Sequence, residues 1–190
     1  NPSQHVYSIV LQIGYSELKI GKHLRTSPWK KFGSFEEVMD NFRASYFAGA
    51  LMINRFQAEK EIQELFQSKT WDGEAILKLI KHHEVTPETF LHRLSQILPG
   101  LFKITELHFL RFEHMIGKND IRLTKELNMP RTLVPSGVSL DEHYCRRWLP
   151  VSLLKELETE QTKLKPEKII IRAQRAQFME SGNEVLFISI

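Results

Sequence analysis

The chain is short of thiols, of excess charge and of long apolar runs, and each shortage removes a class of protein. Its one cysteine, Cys145, cannot close an internal disulfide, and alone it cannot hold an iron–sulphur cluster or a multi-cysteine zinc site. A reducing cytosol is the compartment this usage predicts. The net charge of +3 arises from 26 Lys+Arg against 23 Asp+Glu, too even a balance to demand a polyanionic partner without a clustered patch. Apolar stretches such as Phe47 to Ile53 fall far short of the roughly 20 residues that span a bilayer, and the N-terminus shows no basic-then-apolar leader. The expectation is a cytoplasmic protein with no membrane partner.

What is present is globular. A content of 42% hydrophobic and 26% charged residues excludes disordered and fibrous classes, and 190 residues suffice for one substantial core or two small ones. The chain opens on Asn1-Pro2 without a methionine and closes on the apolar run Glu184 to Ile190 without a terminating turn, so both ends read as cut and the chain as a fragment of a longer polypeptide, its second domain truncated at the C-terminus.

Helical periodicity fills the first part. Phe35, Val38, Met39, Phe42, Tyr46, Gly49 and Ile53 recur at three- and four-residue steps, which predicts a helix buried along that stripe. Asn54 is a predicted N-cap for a helix carrying Ala58, Ile62, Leu65 and Phe66. Ile76, Leu77, Leu79 and Ile80 mark the next, and Thr86-Pro87 opens another that runs through Ile97. These last two have the outline of a helix-turn-helix. The second exposes Glu88, His92, Arg93, Ser95 and Gln96, a mixed face that favours a packing module over a DNA contact.

After Pro99-Gly100 the period changes to two. Strands are predicted at 107–114, 121–127, 169–178 and 185–190, rich in β-branched and aromatic residues. Between the second and third lies a helical insertion, where Ser139-Leu-Asp-Glu142 forms a capping box and Pro150 interrupts. The predicted fold class is α+β, with a helical domain over 1–100 and a small mixed α/β domain over 101–190.

The first helix reads Tyr7-Ser-Ile-Val-Leu-Gln-Ile-Gly-Tyr15. It resembles the active-site helix of the ImmA/IrrE metallopeptidase family, typically F-T-L-A-H-E-L-G-H. In that motif two histidines at i and i+4 ligate zinc from one helix face, and the glutamate acts as base on the bound water. Leu11, Gln12 and Tyr15 stand at these three positions. Leucine has no lone pair, glutamine is no base at neutral pH, and a phenol with a pKa of about 10 must be ionised to ligate. The family's second signature, E-x-E-A-N-R-F-A-A-x-L-L-M-P, resembles Asn41-Phe-Arg-Ala-Ser-Tyr-Phe-Ala-Gly-Ala-Leu-Met52, and its acidic positions fall on Asn41 and Arg43, where a cation would repel zinc. Thr86 to Leu94 is similar to the V-S-P-E-x-L-x-x-R-L run that follows. The resemblance, over roughly residues 5 to 98, implies a zincin-like helical half with a degenerate metal site: no metal, no cofactor and no enzyme activity.

Ala44 to Leu51, Phe90 to Pro99 and Leu107 to Phe112 look like the branch of this family found in XRE-type regulators of short-chain fatty-acyl and propionate metabolism. That resemblance implies a GAF-like second half that senses acyl-coenzyme A, a separate N-terminal helix-turn-helix domain that carries DNA binding, and a homodimer. Cys145-Arg-Arg-Trp148 resembles the branch's C-x-x-W element; the other cysteines that ligate a cluster in some relatives are missing. Acyl-coenzyme A calls for arginines on its phosphates, an aromatic surface and a narrow apolar pocket. The candidates are Phe109, Arg111, Arg122, Cys145, Arg147, Trp148 and Arg172, with Phe112, Arg146 and Phe178 beside them. His82, His83, His108, His114 and His143 lack ligand spacing and are expected to be exposed or satisfied locally. Two rival readings are a metallopeptidase with unconventional ligands, His5 or Glu17 with Gln12, and a structural domain for dimerisation or protein contact.

Overall fold

The computed structural model describes residues 2–21, 33–70, 72–115, 117, 121–128, 148–160, 169–177, 182 and 184–190. Among them, five helices come first: α1 (Pro2–Glu17), α2 (Phe35–Met52), α3 (Arg55–Gln67), α4 (Gly73–His82) and α5 (Pro87–Phe102). Strands β1 (His108–His114) and β2 (Ile121–Asn128), helix α6 (Leu149–Glu160), and strands β3 (Arg172–Gln177) and β4 (Glu184–Ser189) follow. The architecture is α+β. No helix among the described residues is long and apolar enough to cross a membrane.

Local signals start most of these helices. Asn54 Oδ1 accepts the amides of Phe56 and Gln57, Asp72 caps α4 through Ala75, and Thr86 Oγ1 accepts Thr89 N–H ahead of Pro87 at the first helical position. Helix α5 does not stop at Ile97: it passes through Pro99 and ends at Phe102, where Lys103 adopts a left-handed conformation at φ 58°. Pro150 stands in the first turn of α6, where the missing N–H costs nothing. The capping box at Ser139 lies outside the described residues.

The main core is aliphatic: Ile53, Ala58, Ile62, Ile76, Ile80, Val85, Phe90 and Ile97 form one cluster across α3, α4 and α5. Ile171 belongs to it, and Ile188 and Ile190 pack against it, so the second half closes the base of the helical core. This explains why β3 starts at Arg172 and not at Ile169. Ile170 and Ile171 are buried ahead of the ladder.

The strands form two separate antiparallel ladders, β1 with β2 and β3 with β4, in place of one sheet. Trp148 joins them. Its indole meets Phe112 of β1 edge-on at 5.3 Å and Phe187 of β4 at 6.2 Å. Glu158 of α6 ties down the β1 end, accepting Gly117 N–H at 2.9 Å and contacting His114 Nε2 at 3.0 Å, which holds its carboxyl below the ordinary range.

Helix α2 departs from the expected burial. The C-terminal end of the expected stripe, Gly49 and Ile53, is buried, as are Ala44 and Ala48 beside it, while Phe35 is 78% exposed and Val38, Phe42 and Tyr46 are exposed. Small residues win the inner face because α1 approaches closely. A Cβ at Gly14 would lie 3.0 Å from Phe47 Cδ1 and 3.1 Å from the Ala44 carbonyl oxygen. Gly14→Val is therefore expected to lower unfolding free energy in urea by about 1–3 kcal/mol. Gly49→Ala, whose Cβ would meet Arg93 Cδ and Gln96 Oε1 at an ordinary 3.7 Å, is expected to be neutral or stabilising by up to about 1 kcal/mol; equal losses at both positions would refute the close-approach account.

Candidate functional site

Position 11 on α1 points straight into the α1–α2 seam, and position 15, one turn on, follows it. Leu11 is 1% exposed and Tyr15 is fully buried, packed with Ile20, Ala44 and Ala48. The Tyr15 hydroxyl donates to Asn41 Oδ1 at 2.9 Å, across 26 residues of sequence. Three of the five positions singled out by the resemblance, Leu11, Tyr15 and Asn41, thus lie along this seam.

The other two do not join them. Gln12, about 100° around the helix from Leu11, is on the outer side. Arg43 is about 200° from Asn41, so its guanidinium, 59% exposed and 3.3 Å from Asp40 Oδ1, lies in solvent and not at the point of convergence. The expected repulsion of zinc by Arg43 is corrected accordingly: Arg43 points away from Leu11, Tyr15 and Asn41, and among the described residues the seam holds leucine, phenol and amide. His5 and Glu17 are exposed at the two ends of α1. Among the described residues, no three histidine, cysteine, aspartate or glutamate side chains are grouped to hold an ion. His83 meets Glu61 Oε2 at 2.7 Å and His82 meets Gln57 at 2.8 Å, both across to α3.

The α5 face expected to be open is covered. Arg93 is 3% exposed, Ser95 is buried, and His92 and Gln96 are half-buried, because α2 and β1 lie on them. Arg93 reaches over the Tyr46 ring at 5.3 Å, donates to Gln96 Oε1 at 3.0 Å, and leaves its Nε without a hydrogen-bond partner. His92 stands edge-on to Phe109 at 5.7 Å. Sequence reasoning missed this burial because the residues are polar; the signal was Gly49 opposite them. Tyr7 also enters this region, its phenol pushed up by burial and partly offset by a hydrogen bond with Ser45.

The candidate effector residues are dispersed. Phe109 is buried under Lys125, whose Nζ lies 5.7 Å from the ring centroid. Arg111 is held between Glu113 at 2.6 Å and Glu88 at 3.5 Å. Arg122 is exposed on β2 opposite Glu113. Trp148 is the aromatic joint between the ladders. Arg172 donates to Glu156 at 2.9 Å and to the Ile171 carbonyl at 3.0 Å. Cys145, Arg146, Arg147 and Phe178 lie outside the described residues.

Two clefts open near these groups. One of about 430 Å³ is apolar and lined by Leu18, Phe42, Arg43, Tyr46, Phe47 and Ala50. The other, about 240 Å³, lies between Glu74, Leu77, Glu156, Ile170 and Arg172, so Arg172 of the candidate set borders it. Comparison with protein-family models, curated proteins and solved structures finds no match.

Burial, with Lys125 nearby, lowers the His92 pKa to about 4, below the 6.5 of a free imidazole. Between these values the unfolded chain binds a proton that the folded chain does not, so stability falls as pH drops from about 6.5 to about 4. Denaturant titrations across this window are expected to show that slope, and His92→Gln to flatten it. An unchanged slope would show that His92 is not the group responsible.

Proposed function

We propose that the chain is the regulatory, ligand-sensing part of a bacterial XRE-type transcription regulator, built on an ImmA/IrrE peptidase-like domain that has lost hydrolysis. The helical half is zincin-like in this reading and the second half GAF-like. The observation that carries it is the Tyr15–Asn41 contact. In the peptidase motif the second histidine and the acid of the second signature meet on one ion, and the groups that replace them here meet each other. Composition and helical period alone do not bring those two positions together.

The effector is a short-chain acyl-coenzyme A or a related metabolite, and the cytosol is where it acts. Arg172 and Arg111 are guanidiniums on carboxylates at the surface, the kind of pair that a phosphate group exchanges readily. A phosphate that took Arg172 from Glu156 would loosen β3 from α6, and one that took Arg111 from Glu88 would loosen β1 from α5. Either gives the ligand a differential affinity for two arrangements, which a population shift requires. DNA contact belongs to a separate N-terminal helix-turn-helix domain, since the polar face of α5 is covered by α2 and β1.

A second reading, a domain for dimerisation or protein contact, is favoured by the exposed apolar residues of α2. Thermal shift separates the two. A panel from acetyl- to palmitoyl-coenzyme A is expected to contain a ligand that stabilises by about 2.7 kcal/mol at a hundredfold excess over Kd, with Arg172→Gln weakening the response. No shift with any acyl chain selects the second reading.

A further inference from the structure

Arg93 is a buried charge with no counter-charge among the described residues. Its side chain is sealed between α2 and α5, Nη1 donates to the neutral Gln96 Oε1 at 3.0 Å, and Nε has no hydrogen-bond partner. A guanidinium keeps its proton in a protein interior, so its desolvation is offset by an anion or left standing. Neither enclosing helix brings one. Residues 41–52 of α2 and 89–102 of α5 carry no acid, and Glu88, at the start of α5, is engaged by Arg111 and Lys125. His92, held neutral by burial at physiological pH, meets Gln96 Nε2 through Nδ1 at 3.3 Å and supplies no charge either.

One ring connects this cation to an apolar cleft. Tyr46 carries the Arg93 guanidinium over its face at 5.3 Å and also borders the cleft of about 430 Å³, together with Leu18, Phe42, Phe47 and Ala50. That volume falls within the range of about 300–1,000 Å³ typical of small-molecule sites. Charge at the cleft is of one sign, since Arg43 lines it and no carboxylate does among the described residues. Tyr46 is 43% exposed, so close packing does not lock its rotamer, and a turn about χ1 opens the guanidinium to the cleft. Gly49, where an added Cβ would touch Arg93 Cδ and Gln96 Oε1 at 3.7 Å, leaves space beside the charge.

We infer that the seam between α2 and α5 binds an alkyl monocarboxylate, with its head group on Arg93 and its chain in the cleft against Phe42, Phe47 and Leu18. Nη1 is committed to Gln96, which leaves the Nε edge of the guanidinium for the two parallel N–H···O bonds that a planar carboxylate accepts. A phosphate would bring a second charge and a third oxygen for which this seam has no donor. The site lies in the helical half, away from Arg111 and Arg172, and rests on neither reading of function. Its test uses no coenzyme A, so the two stand or fall separately.

Calorimetric titration of the chain with octanoate is expected to give saturable binding with a Kd below about 1 mM, and octanamide, which keeps the chain and loses the charge, to bind at least about tenfold more weakly. Arg93→Met is expected to abolish that preference while leaving octanamide binding unchanged. Arg43→Gln, at the exposed rim, is expected to change octanoate affinity by less than about twofold. Ala50→Leu, which fills the cleft and keeps Arg93, is expected to weaken both probes by about tenfold, and it tests the site even if Arg93→Met does not fold. Absence of octanoate binding, or equal affinity for octanoate and octanamide, overturns the inference. So does a preference that survives Arg93→Met or is lost in Arg43→Gln, or binding indifferent to Ala50→Leu.

Discussion

The close approach of α1 to α2 sets the terms for the rest of the molecule. It is made possible by Gly14 facing the Ala44 carbonyl and the Phe47 ring, with Ala48 one turn further on, so that no large side chain separates the helices on that line. Leu11 and Tyr15 then fill the remaining depth, and the Tyr15 hydroxyl has Asn41 within hydrogen-bond reach. A buried phenol needs such a partner, since leaving it unmet costs about 1–3 kcal/mol. The same geometry turns the large residues of α2 outward. The Tyr15–Asn41 contact and the exposed apolar residues of α2 are two consequences of one packing choice.

Much of the fold was legible because it is encoded locally. Asn54 and Thr86-Pro87 announce helix starts through side-chain oxygens and a fixed φ, and β1, β2 and β4 announce themselves by alternation. Ile76 and Ile80 were legible as core because the strongly amphipathic α4 has one face to bury. The stripe of α2, buried at Gly49 and Ile53, misled at its Phe35 to Tyr46 end for the complementary reason. Periodicity identifies a face that wants covering, not the element that covers it, and here α1 meets a different sector. Arg93 misled because burial of a cation depends on Tyr46 and Gln96, which arrive from the tertiary fold.

The candidate site divides along the same line. Of the positions named from the motif resemblance, Tyr15 and Asn41 meet through a hydrogen bond, and Leu11 is buried in the same cluster as Tyr15. Gln12 and Arg43 came from the same motif, yet helical geometry carries them away from it. The arginines of the second half were chosen by residue type and strand position alone. Type and position do not determine which carboxylate each one meets, and Glu88, Glu113 and Glu156 come from three different elements. The aromatic joint at Trp148 was visible only as a residue of interest; that Phe112 and Phe187 flank it is a product of how two separate ladders share one helix.

The central claim is that positions 11, 15 and 41 occupy the geometry of a former metal site. Its most direct test is to put the ligands back, combining Leu11→His, Tyr15→His and Asn41→Glu, and to measure bound zinc by atomic absorption after dialysis. The account predicts about one zinc per folded chain, held in the tetrahedral range of ligand distances with water in the fourth place. A triple variant that folds like the parent and retains no zinc would contradict it.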